Sequence, residues 1–598
     1  MNLSCHLAEF VRDELGCKTA FSLTGGGAMF LNDAFGNTSG LTCVYNHHEQ
    51  GSAMAAVGYA KLAGIGVCVT TTGCGSTNAV TGLLDAYQDS VPVLFISGQV
   101  KRRETTRLSG LPLRGFGVQE LDILPVVSSI SKKTYFIDSL STYFEVLGKL
   151  KADLLSGRPG PVWVDIPLDL QSSSVESMLT RLGVPTDTVG IETGLVRTPI
   201  DPLVRELELS NRPVFIVGNG LRLSQGGSGI EELKEISQRY SIPIVSTYLG
   251  NDFFRRDFEN YFGVAGLKAA RRANIILHNA DLIIALGCRL ATSVIGYEYE
   301  KFAPEAKIFA VDVDQSEHLK PTTARIEIVA DDCFSFLNRL RANISAIDHI
   351  EWLESCKQLS ALLPVREQVR MQSKVSIYDV VEQVCELAGD HDCVVSDAGS
   401  AYYVASMLFT KRTYQRYVTS GAQADMGFSI PAAIGAAFSG LTSRIHAITG
   451  DGSALCNIQE VQTIVHYKLP ITIYVLNNNG YLSIRSTQKN FFPKRQCGTD
   501  RSNGVSFPSF EALASAFGVE YVKAETVTGL KNAVRMTQNL SYPALVEVMC
   551  PTEEEIIPRT QTKRSEDGSL ISEPLSSMYP ELPKEMIQKI EALAFRLK

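Results

Sequence analysis

The chain has no long apolar runs. None approaches the roughly 18 residues that a bilayer-spanning helix requires, so no membrane partner is expected. It also lacks paired cysteines. Its 13 cysteines are scattered singly, without CxxC or metal-ligand spacing, and read as small buried hydrophobes in a reducing compartment. Basic charge is not in excess. Lys and Arg number 56 against 64 acidic residues, a net charge of −8, and no half of the chain is basic, which argues against a nucleic-acid partner. At the amino terminus, Glu9, Arg12, Asp13 and Glu14 interrupt the first apolar residues, so no signal-peptide core is expected there. A soluble, cytoplasmic protein is the expectation.

What is present is length and ordinary globular composition. With 598 residues, 45% apolar and 20% charged, the chain exceeds a single core and predicts about three to four domains. Strand-like and helix-like patterns alternate in three blocks, so the fold class is α/β. The first block, residues 1–175, closes on Arg158-Pro159-Gly160-Pro161-Val162-Trp163-Val164-Asp165-Ile166-Pro167. A polar linker follows over Gln171–Thr198. The second block, 195–343, opens on Arg212-Pro213-Val214-Phe215-Ile216-Val217-Gly218, with further strands predicted at Asp281–Leu286 and Lys307–Val313. Residues 344–373 read as a helical connector and 374–552 as the third block. The tail, 553–598, is rich in Pro, Ser and charge. It ends in an amphipathic helix near Lys584–Leu597 and is expected either to be disordered or to dock as a lid. Blocks one and three read as distant copies of one layer architecture.

Chemistry concentrates in Gly450-Asp451-Gly452-Ser453 and Asn477-Asn478-Asn479-Gly480. A strand over Ser443–Thr449, a helix over Ile458–Tyr467 and a strand over Ile471–Leu476 make one βαβ unit. Its right-handed crossover places both motifs at one carboxyl edge of a parallel sheet. That edge offers a carboxylate, an amide oxygen and exposed backbone, hard ligands suited to Mg²⁺ or Ca²⁺ with room left for phosphate oxygens. In the first block, a strand over Thr42–Tyr45 runs through His47-His48-Glu49-Gln50 into a small-residue helix from Gly51 to Lys61. Thr70-Thr71-Thr72-Gly73-Cys74-Gly75-Ser76-Thr77-Asn78 and Asp85-Ala86-Tyr87-Gln88-Asp89-Ser90-Val91-Pro92 come next.

These motifs, in this order, with Gly421-Ala422-Gln423-Ala424-Asp425-Met426-Gly427 in the third block, resemble the thiamine-diphosphate enzymes, on their acetolactate-synthase-like branch. Cys74 stands where that branch carries proline. The resemblance implies three doubly wound parallel-sheet domains: pyrimidine-binding, central and diphosphate-binding. It also implies thiamine diphosphate and Mg²⁺ as cofactors. Glu49 matches the acid that hydrogen-bonds the cofactor's pyrimidine nitrogen, and is expected to be withdrawn from water. Met426, preceded by Ala424, matches the apolar wedge that bends the cofactor. Asp451 and Asn478 through side chains, and Gly480 through its carbonyl, match the metal ligands. Gly450, Gly452 and Ser453 match the diphosphate-binding helix start, and Ala398-Gly399-Ser400 a second diphosphate turn. Different subunits hold the cofactor's two ends in this family, so a homodimer or homotetramer is implied.

On the substrate side, Gly26 in Gly25-Gly26-Gly27 matches a loop bordering the reacting carbon. Gln119 matches a family glutamine, although Val118 replaces the phenylalanine before it. His48 aligns with a family histidine, whereas His47 reads as packed or solvated. The run Lys101-Arg102-Arg103, with Arg107, reads as an anion-receiving loop or a solvated one. Ser483, Ile484 and Thr487 stand where acetolactate synthases carry Met, Val and Trp, implying a larger or more polar acceptor. The central block leaves two readings open. One is FAD held through Gly218-Asn219-Gly220, Arg289, Asp312 and Asp314, with Ser293 at a second arginine position; the other is a purely structural domain. The implied activity decarboxylates a 2-keto acid, pyruvate first, and transfers the two-carbon unit to an acceptor carbonyl. A decarboxylase or lyase, a cyclic-diketone hydrolase, and a non-catalytic cofactor-binding paralogue are the alternatives.

Overall fold

The computed structural model describes residues 1–182, 195–323, 325–345, 347–368, 374–492, 494–565, 567–593 and 595. The expected linker, the connector and the end of the final helix lie partly outside these residues.

Aliphatic runs such as Val93-Leu94-Phe95-Ile96 form strands buried on both faces, as strands of a covered parallel sheet do. The first sheet contains β1 (Thr19–Ser22), β2 (Thr42–Tyr45), β3 (Gly66–Thr70), β4 (Val93–Gln99), β5 (Lys133–Phe136) and β6 (Val162–Pro167). Its order is β2-β1-β3-β4-β6-β5. The middle sheet contains β7 (Pro213–Val217), β8 (Ile244–Ser246), β9 (Tyr261–Val264), β10 (Leu282–Leu286), β11 (Lys307–Asp312) and β12 (Ile326–Ala330), ordered β12-β11-β10-β7-β8-β9. The third contains β13 (Cys393–Ser396), β14 (Arg416–Val418), β15 (Ile445–Gly450), β16 (Ile471–Asn477), β17 (Glu520–Ala524) and β18 (Ala544–Met549), ordered β14-β13-β15-β16-β18-β17. Every pairing within the three sheets is parallel. The expected α/β class with three parallel sheets is therefore observed. The first and third sheets share one strand order; the middle sheet has the dinucleotide-fold order instead.

Local bounds shift for identifiable reasons. The helix expected over Ile458–Tyr467 spans only Glu460–His466. Its entry is a tight turn, in which the Glu460, Val461 and Gln462 amides bond to carbonyls three residues back. The small-residue helix begins earlier than expected, at Glu49, because the His48 side chain caps it by accepting from Gln50 N at 3.1 Å.

The first and third blocks share one core. At its centre the helix Glu49–Ala63 lies against the helix Ser429–Phe438, both rich in Ala and Gly. A Cβ at Gly58 would stand 2.4 Å from the Ala432 carbonyl oxygen, and one at Gly435 1.9 Å from that of Ala55. Only glycine permits backbones this close.

Buried acids fasten the blocks together. Asp89 accepts from Lys61 Nζ at 2.6 Å, Gly421 N at 2.8 Å and Ala422 N at 2.9 Å, joining first block to third. Asp252, in the middle block, accepts from Arg222, from Arg416 Nε at 3.0 Å and from Tyr417 N at 3.2 Å. Burial opposes ionisation of Asp252, but Arg222 and Arg416 outweigh it and hold the carboxyl at about 2. The tail docks on the middle block. Arg271 donates to the carbonyls of Met578 at 2.9 Å and Pro580 at 2.8 Å, and Ile590 and Phe595 enter the middle core. Among the described residues, no helix is long and apolar enough to cross a membrane.

Replacing Gly435 with Leu would force the two helices apart. The expected cost is about 1–3 kcal/mol or loss of folding, seen as a lowered thermal midpoint. Ionised Asp252 stabilises the fold above the unfolded carboxyl value of about 3.9, and that contribution is lost as pH falls through about 2. The difference in thermal midpoint between wild type and Asp252→Asn should therefore be constant above about pH 5 and narrow between about pH 4 and pH 2.

Candidate active site

The first-block residues gather at the carboxyl ends of β2, β1, β3 and β4. Glu49 opens the helix after β2 and is 6% exposed. Asn78 Nδ2 donates to its Oε2 at 3.0 Å, and a Cβ on Gly75 would lie 3.0 Å from its Oε1. The turn after β3 thus encloses Glu49. After β1, Gly25 and Gly27 press on Thr71 and Thr72, while Gly26 faces open space. Gln119 is exposed with a φ of 60°, and its carbonyl sits where a Gly73 side chain would project.

The third-block residues follow the adjacent strands β15 and β16, in which Gly450 pairs with Leu476. Gly450 precedes the short helix Asp451–Ala454, where Gly452 gives way to the Tyr481 ring and Ser453 is 8% exposed. Asp451 accepts from Gly452 N at 2.8 Å and Gly480 N at 2.9 Å, and burial pushes its carboxyl up to about 6. The side-chain oxygen of Asn478 is buried without a hydrogen-bond partner, an uncompensated acceptor that calls for a cation or donor. Among the described residues no group of three His, Cys, Asp or Glu side chains forms a metal cluster. The donors here are instead one carboxylate, one amide oxygen and the Gly480 carbonyl, a set that fits Mg²⁺.

Ala398-Gly399-Ser400 begins the helix Gly399–Leu408, with Gly399 at a φ of 65°. Its organiser is Asp397, 1% exposed, which sequence reasoning missed. It accepts from Ala398 N (2.8 Å), Gly427 N (2.9 Å), Ser429 N (3.1 Å), Ser429 Oγ (2.9 Å) and Thr449 Oγ1 (3.2 Å). It thereby fixes the second turn, the segment after Met426 and the approach to Gly450 at once. Met426 itself is 40% exposed and Ala424 has a φ of 54°.

Residues 1–126 match the N-terminal TPP-binding domain of thiamine pyrophosphate enzymes, 200–340 their central domain and 397–548 their C-terminal TPP-binding domain. The chain belongs to the thiamine pyrophosphate enzymes. It is 31% identical over 553 residues to the acetolactate synthase isozyme 2 large subunit of Escherichia coli (strain K12), covering 91% of this chain and 94% of that one. It is 29% identical over 549 residues to the acetolactate synthase large subunit of Lactococcus lactis subsp. lactis, covering 91% and 92%. To the chloroplastic acetolactate synthase of Arabidopsis thaliana it is 28% identical over 563 residues, covering 91% and 80%.

Against that family background, three expectations have specific outcomes in the geometry. Within one chain, the hydrogen bond to the Glu49 carboxylate comes from its own block, through Asn78. The two ends are linked through Glu460, also missed, which is fully buried on the third-block helix. It accepts from Asn46 Nδ2 at 2.8 Å, His47 N at 3.0 Å and His48 N at 3.1 Å, gripping the turn just before Glu49. Several residues considered for flavin are engaged by other parts of the chain. Side chains on Gly218 or Gly220 would strike Gly287 backbone at 2.3 and 2.6 Å, Arg289 bonds Glu317 at 3.1 Å, and Asp314 bonds Arg158 at 3.1 Å. The basic loop is likewise neutralised, Arg102 by Asp169 and Arg107 by Asp122. Ser483 Oγ lies 3.1 Å from Ser400 Oγ, Thr487 Oγ1 bonds back to Ser483 O, and Ile484 is 51% exposed.

Asp397→Ala should leave four donors of this enzyme's third block unmet besides its own turn. A loss of about 3 kcal/mol is expected in urea unfolding, with faster hydrogen exchange at Ala398, Gly427 and Ser429.

Proposed function

We propose that this thiamine pyrophosphate enzyme is a Mg²⁺-dependent carboligase. It takes a two-carbon unit from a 2-keto acid, pyruvate first, and joins it to an acceptor carbonyl. Two of its relatives named above are acetolactate synthase large subunits. The observation that carries the reading is the pairing of a buried acid, Glu49, with the unsatisfied hard-oxygen set at Asp451 and Asn478.

When bound, thiamine diphosphate supplies an electron sink for the pair released as the 2-keto acid loses CO₂. Glu49, enclosed by Asn78 and Gly75, would hold a proton at the pyrimidine nitrogen. Asp451, Asn478 and Gly480 would hold Mg²⁺, and the helix starts at Gly452-Ser453 and Gly399-Ser400 would present backbone N–H groups to the diphosphate. Met426 would wedge the cofactor. Gly26, with open space at its Cα, would let backbone approach the donor, and Gln119 would border the same space. A homodimer, or a homotetramer of dimers, would bring the acid of one copy to the metal end of the other.

In the net reaction the bond from carbonyl carbon to carboxylate breaks and CO₂ leaves. A new carbon–carbon bond forms at the acceptor carbonyl, whose oxygen takes a proton. Incubated with pyruvate and an acceptor, the enzyme should release CO₂ and form a 2-hydroxyketone; free acetaldehyde as sole product would overturn the carboligase reading. Glu49→Gln should lower turnover at least ~100-fold while calorimetry still shows cofactor binding. Asn478→Ala should weaken Mg²⁺-supported cofactor retention, with the fold unchanged by circular dichroism.

A further inference from the structure

The arginines of the basic loop are paired with acids, whereas two cations at the edge of the candidate site are not. Lys268 lies beyond β9 in the middle block, and Arg559 lies in the tail. Among the described residues neither makes an ion pair, and neither side chain donates a hydrogen bond. The Lys268 ammonium stands 4.4 Å from the centre of the Tyr403 ring, and the Arg559 guanidinium 4.6 Å from that of Tyr579. Burial, then the nearby charge of Arg559, lower the Lys268 ammonium to about 8. Two like charges held together in a partly dry seam are unfavourable unless an anion joins them.

The chain builds this seam deliberately close to the candidate active site. Thr560 N bonds to Leu267 O at 2.8 Å, pinning the Arg559 strand beside Lys268. Tyr248 receives Lys268 N on its hydroxyl at 3.3 Å and packs on Tyr402 and Tyr403. Tyr403 shares a helix face with Ser400, three residues earlier, and Ser400 touches Ser483. Tyr402 donates to Gly421 O at 2.9 Å, in the segment that leads to Met426. The cationic seam thus lies against the helix that begins at the second diphosphate turn.

We propose that Lys268 and Arg559 form an acceptor subsite for an oxyanion set apart from the reacting carbonyl, a phosphate ester or a distal carboxylate. This rests on the carboligase reading and narrows its acceptor. The exposed Ile484, beside the half-buried Ser483, leaves room for the intervening atoms.

The test uses cofactor- and Mg²⁺-saturated enzyme with pyruvate and two matched acceptor pairs. One pair is glyceraldehyde 3-phosphate and glyceraldehyde; the other is succinic semialdehyde and butyraldehyde. In Lys268→Gln and in Arg559→Gln, the charged-to-neutral ratio of kcat/KM should fall at least tenfold. A fall in the first pair alone assigns a phosphate ester, in the second alone a carboxylate, and in both a general oxyanion site. Calorimetry with inorganic phosphate should show binding to the saturated wild type, weakened at least tenfold in each variant. Ratios equal to wild type for both acceptor pairs in both variants would overturn the subsite, as would a response of the phosphate pair with phosphate binding absent or unchanged; a partner chain's carboxylate filling the seam would give unchanged ratios. Failure to take up thiamine diphosphate, or to release CO₂ from pyruvate, would instead sink the parent reading, and is seen before any acceptor is added.

Discussion

One buried carboxylate holds the third block's working edge together. Asp397 ends the apolar strand β13 and receives five hydrogen bonds from three separate segments. Burial raises its carboxyl above the ordinary range, while the surrounding donors pull the other way. Three of the donors are backbone amides at chain turns, which would otherwise be buried unsatisfied, and two are hydroxyls. One acid therefore decides where the second turn begins, where the chain leaves Met426 and how β15 reaches Gly450. The geometry around Asp451 thus depends on that acid, which bonds to all three segments.

The same device recurs between blocks. Asp89, Asp252 and Glu460 are each almost fully buried, and each accepts at least one hydrogen bond from another block. Removing one partner of such a contact leaves the other uncompensated, so these acids define alignment more than they add net stability. Apolar packing supplies the bulk of the cohesion, through the core shared by the outer blocks. The glycines at 58 and 435 set how closely the helices approach, and the acids then fix rotation and register. The middle block differs. It shares no strand order with the others, and its switch point is closed by glycine against glycine.

The α/β class and the common layering of the outer blocks were legible because buried parallel strands write uninterrupted aliphatic runs. The strand at Thr42–Tyr45 coincides with expectation to the residue. Glu49, Asp451 and Asn478 were legible because glycine turns and fixed spacing surround them. Asp397 and Glu460 were not. An acid in a helix's first turn reads as a complement to the helix dipole, and nothing local reveals that Glu460 faces a turn from the other end of the chain. The unpaired state of Lys268 and Arg559 was equally hidden, since pairing is a property of the folded surroundings. The basic run at 101–103 drew notice by sequence clustering alone, yet the acid that pairs with Arg102 lies 67 residues along the chain, at Asp169.

The grip of Glu460 also has a bearing on biosynthesis. The His48 amide meets its acceptor only after 412 further residues have been made. At 5–20 residues per second that is roughly 20 to 80 seconds on the ribosome. During that interval the nascent amino-terminal block carries the turn before Glu49 without its clamp, and with the Ala- and Gly-lined face of its helix bare. A chaperone that shields small-residue surfaces would find its substrate in that window, before the carboxyl-terminal sheet emerges.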